Sequence, residues 1–118
     1  MPSRRRYPRT ARLNELLHEI LAEELERLED DRLELVTVMH VVVEPDLHHA
    51  IVTVDTPEGE ERDEVVLAAL DEHRIRLQKA IARQAKLKRT PILSFVPDTV
   101  ERTAAHLEAV MHDIQPDQ

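Results

Sequence analysis

The sequence predicts a single two-layer α+β domain in which helices pack on one face of a three-stranded sheet. The chain has 118 residues, of which 42% are apolar and 34% are charged, a balance typical of one soluble globular domain. Apolar residues recur alternately at helical and strand spacing, in the order helix, strand, strand, helix, helix, strand, helix. Prolines and acidic turn residues separate these segments.

The first predicted helix runs from Arg12 to Leu28 and is amphipathic. Its apolar residues recur at steps of three and four: Leu13, Leu16, Leu17, Ile20, Leu21, Leu25 and Leu28. A β-branched strand follows at 35–43. Its period of two predicts that alternate residues share one side: Leu35, Thr37, Met39, Val41 and Val43. After the turn signal Pro45-Asp46, alternation resumes at Ala50, Val52 and Val54, which predicts an antiparallel hairpin.

The second half of the chain predicts more helix around one further strand. Two helical patterns flank His73-Arg74-Ile75, and periodicity leaves open whether they form one helix or two: Val65, Val66, Ala69, Leu70, then Leu77, Ala80, Ile81, Gln84, Ala85. Pro91 cannot lie inside a helix, and 92–96 reads as a strand that presents Leu93 and Phe95 to one face. Asp98-Thr99-Val100-Glu101 resembles a capping box. It predicts a last helix with the buried stripe Val100, Ala104, Leu107, Met111 and Ile114.

We expect residues 1–11 to form a basic flexible arm, residues 12–114 to form one domain, and residues 115–118 to form a frayed end.

Composition excludes several classes of function. Without cysteine the chain has no disulfide, no thiol nucleophile and no thiolate metal site, and its single glycine, Gly59, leaves no phosphate-binding loop. Tyr7 and Phe95 are too few for a base-stacking platform. The sequence shows neither a membrane-spanning run nor a signal peptide, so we expect a cytoplasmic protein that does not bind membranes.

The histidines do not form a metal motif. His18-Glu19 has Ala22 where a zinc-protease helix needs a second histidine. His48-His49 lies at the hairpin turn, and neighbouring side chains of an extended chain point in divergent directions, which does not suit paired ligands. We therefore expect that the chain is not an enzyme and that it binds neither a cofactor nor a metal ion.

The net charge of −8 conceals a strong segregation of charge along the chain. Two stretches, 1–12 and 74–89, hold twelve of the sixteen basic residues and none of the twenty-four acidic ones. A polyanion would be attracted to these two stretches and repelled by the rest of the chain.

The second basic stretch predicts a cationic helix face. Arg76, Lys79, Arg83 and Lys86 are spaced by three, four and three, while Leu77, Ile81 and Ala85 turn toward the core. An ordinary solvated face is the alternative, but such a face would be expected to mix both signs of charge. We therefore favour nucleic-acid binding. The arginines of residues 4–12 are either a tail without function or an arm that orders on nucleic acid, and the sequence leaves both open.

Two motifs resemble those of a known family. Leu87-Lys88-Arg89-Thr90-Pro91-Ile92-Leu93-Ser94-Phe95-Val96-Pro97-Asp98 is similar to the specific L-[RK]-x-[TV]-P-x-L-x-F-x-x-D signature of bacterial ribosome-binding factor A. Pro45-Asp46-Leu47-His48-His49-Ala50 resembles that family's D-L-x-x-A hairpin, and Asp30-Asp31-Arg32-Leu33 stands where the family often has D-P-R-L. The resemblance covers about 9–111, almost the whole chain.

The resemblance implies a type II KH-like fold and a role in assembling the small ribosomal subunit. Family members bind immature 16S rRNA and assist late 30S maturation without catalysis or cofactor, and we expect this chain to be monomeric. The residues expected to contact RNA are Arg74, Arg76, Lys79, Arg83, Lys86, Lys88, Arg89, Arg9 and Arg12. An adaptor for a basic ribosomal protein and a DNA-binding module stay as alternatives.

The chain departs from the family pattern between its two middle helices. Family members usually have an A-x-G kink there in place of the GxxG loop of ordinary KH domains, whereas this chain has His73-Arg74-Ile75. A β-branched residue disfavours both positive φ and a close backbone approach. We therefore expect a smoother bend, at which Arg74 supplies charge.

Overall fold

The structure, a computed structural model, describes residues 9–56 and 60–98. Helix α1 spans Arg9–Arg27, and a short 3-10 turn follows at Asp31–Leu33. The remaining elements are strands β1 (Thr37–Val43) and β2 (His49–Asp55), helices α2 (Glu60–Glu72) and α3 (Arg74–Ala85), and strand β3 (Ile92–Pro97). The order agrees with the prediction as far as Asp98. The predicted last helix and most of its capping box lie outside the described residues, as do residues 1–8.

The three strands form one sheet in the order β1-β2-β3. The predicted hairpin is confirmed, since β1 and β2 pair antiparallel with Val41 opposite Val52. β3 pairs parallel with β2, with Leu93 opposite Ala50 and Phe95 opposite Val52. A parallel pair requires a crossover connection, and α2 with α3 supplies it.

One face of the sheet and the helices share a single apolar core. Ala50, Val52 and Val54 are buried on β2, as predicted, and Leu93 is buried while Phe95 is half-buried on β3. Helices cover these side chains with a further set of buried residues: Leu17, Ile20, Leu21, Val66, Ala69, Leu70, Leu77, Ala80 and Ile81. The predicted α1 stripe is buried only in part, because Leu16 is exposed.

The predicted alternation along β1 is wrong in its first half. Thr37 and Leu35 are exposed, whereas Val38 is buried. The register between β1 and β2 shifts between Val38 and His40, which marks a bulge. An extra residue at a bulge moves the preceding side chains to the other face, so a strict period of two fails there.

Side chains of the helices satisfy backbone groups of both edge strands. His18 Nε2 donates to the Val38 carbonyl at 2.8 Å, and Asn14 Oδ1 accepts from the Val43 amide at 2.8 Å. On the other edge, Gln78 Oε1 accepts from the Leu93 amide at 3.1 Å. These bonds fix α1 and α3 on the sheet. None of the described helices is long and apolar enough to cross a membrane.

Candidate nucleic-acid interface

Helix α3 has a buried side and a cationic side. Leu77, Ala80 and Ile81 are buried, whereas a second side carries exposed cations and is continued by Lys86, the C-cap residue. We call these four cations the basic face: Arg76, Lys79, Arg83 and Lys86. Among residues 9–56 and 60–98, none of the four has an ion-pair or hydrogen-bond partner. α3 itself contains no acidic residue. The basic face is therefore available to an external anion.

The loop after α3 extends the positive surface. Lys88 and Arg89 are both exposed, and Arg89 Nη1 lies 3.1 Å from His48 Nε2 in the β1–β2 hairpin. A guanidinium has no acceptor, so Arg89 is the donor in this contact. The contact holds the loop against the hairpin.

Arg12, the last residue of the first basic stretch, lies close to the loop that ends the second. Arg12 is exposed on α1 and lines the same groove as Leu87, the residue that precedes Lys88. Arg9 is the first residue of α1, one turn earlier. Periodicity alone cannot show that α1 and the loop after α3 are neighbours, because their contact depends on how α1 and α3 pack against each other on the sheet.

Helices α2 and α3 are separate, which resolves the question that periodicity left open. α2 ends at Glu72, α3 begins at Arg74, and His73 between them has φ −97° and ψ 5°. No residue at this joint needs a positive φ, since among the described non-glycine residues only Leu47 and Lys86 have one. The joint therefore forms without the family's glycine.

Charges at the α2–α3 joint are compensated within the protein. Arg32 Nη2 lies 2.7 Å from Asp30 Oδ2 and 2.8 Å from Glu72 Oε1, and His73 Nε2 lies 2.9 Å from Asp30 Oδ2. These four residues, which we call the joint network, tie the 3-10 turn to the end of α2. Arg74 is half-buried, and its Nε lies 3.4 Å from Asp71 Oδ1. Arg74 therefore differs from the basic face, whose cations lack such partners among the described residues.

The joint network shifts the ionisation of its carboxylates. Hydrogen bonds from Arg32, and then from His73, hold the pKa of Asp30 far below its ordinary value. Hydrogen bonding to Arg32 also lowers the pKa of Glu72, while Glu72 and Asp30 raise the pKa of Arg32. This network was not predicted from the sequence; in the structure, Asp30 is the N-cap of the 3-10 turn and accepts from the Arg32 amide.

The β1–β2 hairpin holds one group of residues with metal-ligand chemistry. His49 Nδ1 lies 3.5 Å from Glu44 Oε1 and 3.7 Å from Asp46 Oδ2, while the adjacent His48 faces Arg89. The prediction that the two histidines diverge is confirmed. Asp46 also accepts from the His48 amide at 2.8 Å, and this bond lowers the pKa of Asp46. These contacts stabilise the turn, and we assign no ion to them.

The strand order, the parallel β2–β3 pair and the two-helix crossover define a small KH-like domain that presents an unpaired basic helix face among its described residues. A family model described as ribosome-binding factor A matches residues 9–111. The chain belongs to the ribosome-binding factor A family.

Similar proteins support both the fold and the family. The ribosome-binding factor A of Corynebacterium urealyticum is 38% identical over 108 residues, which are 87% of this chain and 76% of that protein. The crystal structure of the Thermus thermophilus factor aligns with a TM-score of 0.69 at 39% identity, and covers 75% of this chain and 94% of that chain. A homology model of the Thermus thermophilus factor, fitted into a cryo-EM map of its 30S complex, aligns with a TM-score of 0.62 at 39% identity, covering 72% and 90%.

Replacing Asp30 with asparagine tests the joint network. Because folding lowers the pKa of Asp30, its ionised form stabilises the fold above about pH 4, and this contribution is lost as pH falls through the lowered pKa. We expect Asp30→Asn to reduce the free energy of unfolding at pH 7 and to match the wild type increasingly well toward pH 2. Urea unfolding across that range measures the difference, with the exposed neighbour Asp31→Asn as control. A difference that does not change with pH would contradict the assignment.

Substitution of Lys86 tests whether a cation is present at this position although its backbone conformation is unfavourable for a lysine. It ends α3 in the left-handed region, with φ 53° and ψ 44°, where glycine is the favoured residue. We expect Lys86→Gly to raise the free energy of unfolding by about 1 kcal/mol and to weaken RNA binding, because a cation is lost. Lys86→Asn, which tolerates the same backbone, separates the two effects. If the wild type, Lys86→Gly and Lys86→Asn bind RNA with equal affinity, Lys86 is not part of the interface.

Proposed function

We propose that this chain binds immature 16S rRNA in the 30S subunit and assists late maturation of that subunit as a non-catalytic factor in the bacterial cytoplasm. The basic face carries the proposal. It is a row of cations without internal partners among the described residues, in a chain whose net charge is −8. The fitted 30S complex of the Thermus thermophilus factor supports the choice of partner.

The spacing of the basic face suits a nucleic-acid backbone. From Arg76 to Lys86 the helix advances about 15 Å, a span over which several phosphates of one strand lie. Lys88 and Arg89 continue the row into the loop, and Arg12 with Arg9 adds a second row from α1. We propose that these side chains contact phosphates and position the domain, and that they supply most of the affinity.

The α2–α3 joint has a different role in this proposal. His73, Arg74 and Ile75 stand where ordinary KH domains clamp the backbone, but His73 and Arg74 already face the carboxylates of Asp30 and Asp71. We propose that the joint sets the angle of α3, so that phosphates are bound by side chains of the basic face and not by backbone at the joint. Arg74 contributes less than Arg76 or Lys79.

Reversing three charges tests the proposal. We expect Arg76→Glu, Lys79→Glu and Arg83→Glu together to weaken binding to protein-free 16S rRNA strongly and to leave the melting temperature nearly unchanged, since all three side chains are exposed. If about five phosphates are neutralised, log K for the wild type falls with log salt at a slope of about −4, and the variant loses about two units of that slope. Filter binding at several salt concentrations measures both quantities.

Arg27→Glu is the control, because Arg27 is exposed at the end of α1, lies 3.8 Å from Glu24 and is not part of the basic face. Its slope is expected to match that of the wild type. Unfolding of the triple variant would make the basic face structural. If the wild type does not bind protein-free rRNA and binds only basic ribosomal proteins, the result favours the adaptor function. If it prefers duplex DNA, the result favours a DNA-binding module.

A further inference from the structure

An apolar groove lies where Arg12 of α1 comes close to the loop after α3. Its volume is about 630 Å³, within the usual range of small-ligand sites. The walls, which we call the leucine groove, come from three separate segments: Leu13 and Leu16 of α1, Pro45 and Leu47 of the hairpin, and Leu87 of the loop after α3. Leu16 and Leu47 are 38% and 43% exposed, so apolar surface faces solvent here.

The hairpin turn holds Leu47 in the groove at a conformational cost. Leu47 has φ 63°, a left-handed conformation that a residue with a Cβ adopts reluctantly. Its amide donates to the Glu44 carbonyl at 2.8 Å, and the next amide donates to Asp46 Oδ1 at 2.8 Å. The turn is therefore well fixed, and it presents a leucine to solvent where glycine or asparagine would fit the backbone better.

Three cations and one carboxylate border this apolar surface, so positive charge predominates. Arg12 lines the leucine groove, while Lys88 and Arg89 line its continuation together with Asp46 and His48, beside Leu13, Leu47 and Leu87. All three cations are exposed, and Leu87 follows directly on Lys86 of the basic face. An occupant of the groove therefore needs an apolar part to lie against leucines and negative charge beside it. A nucleotide has both, in its base and its phosphate, whereas a basic protein segment would be repelled by the rim.

We propose that the leucine groove receives one unpaired nucleobase of the RNA that the basic face binds, with the neighbouring phosphates held by Arg12, Lys88 and Arg89. The inference rests on the proposed function and adds a position at which a base, and not only the backbone, is contacted. An unpaired base can be splayed out of an RNA strand readily, whereas a paired base must first break its pair. With no aromatic side chain among the described residues that line the groove, the base is held by apolar packing.

The salt dependence of binding separates this contact from the phosphate contacts. We expect Leu47→Asn, which tolerates the left-handed backbone, to weaken binding to protein-free 16S rRNA about five- to tenfold at every salt concentration. The slope against log salt stays that of the wild type, because no cation is removed. Leu35→Asn is the control, since Leu35 is 64% exposed and lies outside the groove, and its affinity is expected to be unchanged.

Photocrosslinking identifies the occupant directly. A photoreactive leucine analogue at position 47, irradiated in the complex with 30S subunits, is expected to crosslink to an unpaired 16S nucleotide. A crosslink to a ribosomal protein, a crosslink to residues 1–8 of the chain itself, or no crosslink would each overturn the proposal. If Leu47→Asn binds the RNA as tightly as the wild type, and the wild type shows a slope of about −4, only the proposal for the groove is refuted. Failure of the wild type to bind the RNA refutes the proposed function as well.

Discussion

Helix α3 separates its apolar residues from its cations, and this separation determines which surface of the described structure can bind an anion. One side of the helix is fixed by burial of Leu77, Ala80 and Ile81, so the cations three and four residues apart on the other side must face solvent. No carboxylate occurs between residues 74 and 89 to pair with them. Arg32 and Arg74, by contrast, have acidic partners in the described structure. The cations of the basic face have none there and are available to contact an external anion.

The remainder of the fold holds that face in place. The bond from the Leu93 amide to Gln78 attaches α3 to the edge of the sheet, and the joint network fixes the end of α2 against the 3-10 turn. These side-chain contacts hold the joint in place, at a position where a glycine would make the backbone more flexible. A rigid helix presents its cations at fixed positions, which lowers the entropic cost of binding a polyanion.

Much of this arrangement could be predicted from local patterns. Periodicity located α3, its buried side and the hairpin, because these depend on residues close together in the chain. It failed at Val38, where a bulge shifts the register and only pairing with β2 shows it. It also missed the bond between His73 and Asp30, which are 43 residues apart. The leucine groove could not be predicted from the sequence for the same reason, since α1, the hairpin and the loop after α3 meet only in the folded protein.

Chemical labelling of the lysines tests whether the basic face contacts the 30S subunit. The chain has three, Lys79, Lys86 and Lys88, and all of them lie on the basic face or the loop that extends it. Amine acylation followed by mass spectrometry, with and without 30S subunits, reports how accessible each one is. We predict that all three are modified readily in the free protein and become protected together in the complex, while carboxylates of α2 such as Glu60 and Glu61, labelled in parallel with a carbodiimide, stay reactive. Lysines that react equally in both states, in a protein that is bound to the subunit, would contradict the account.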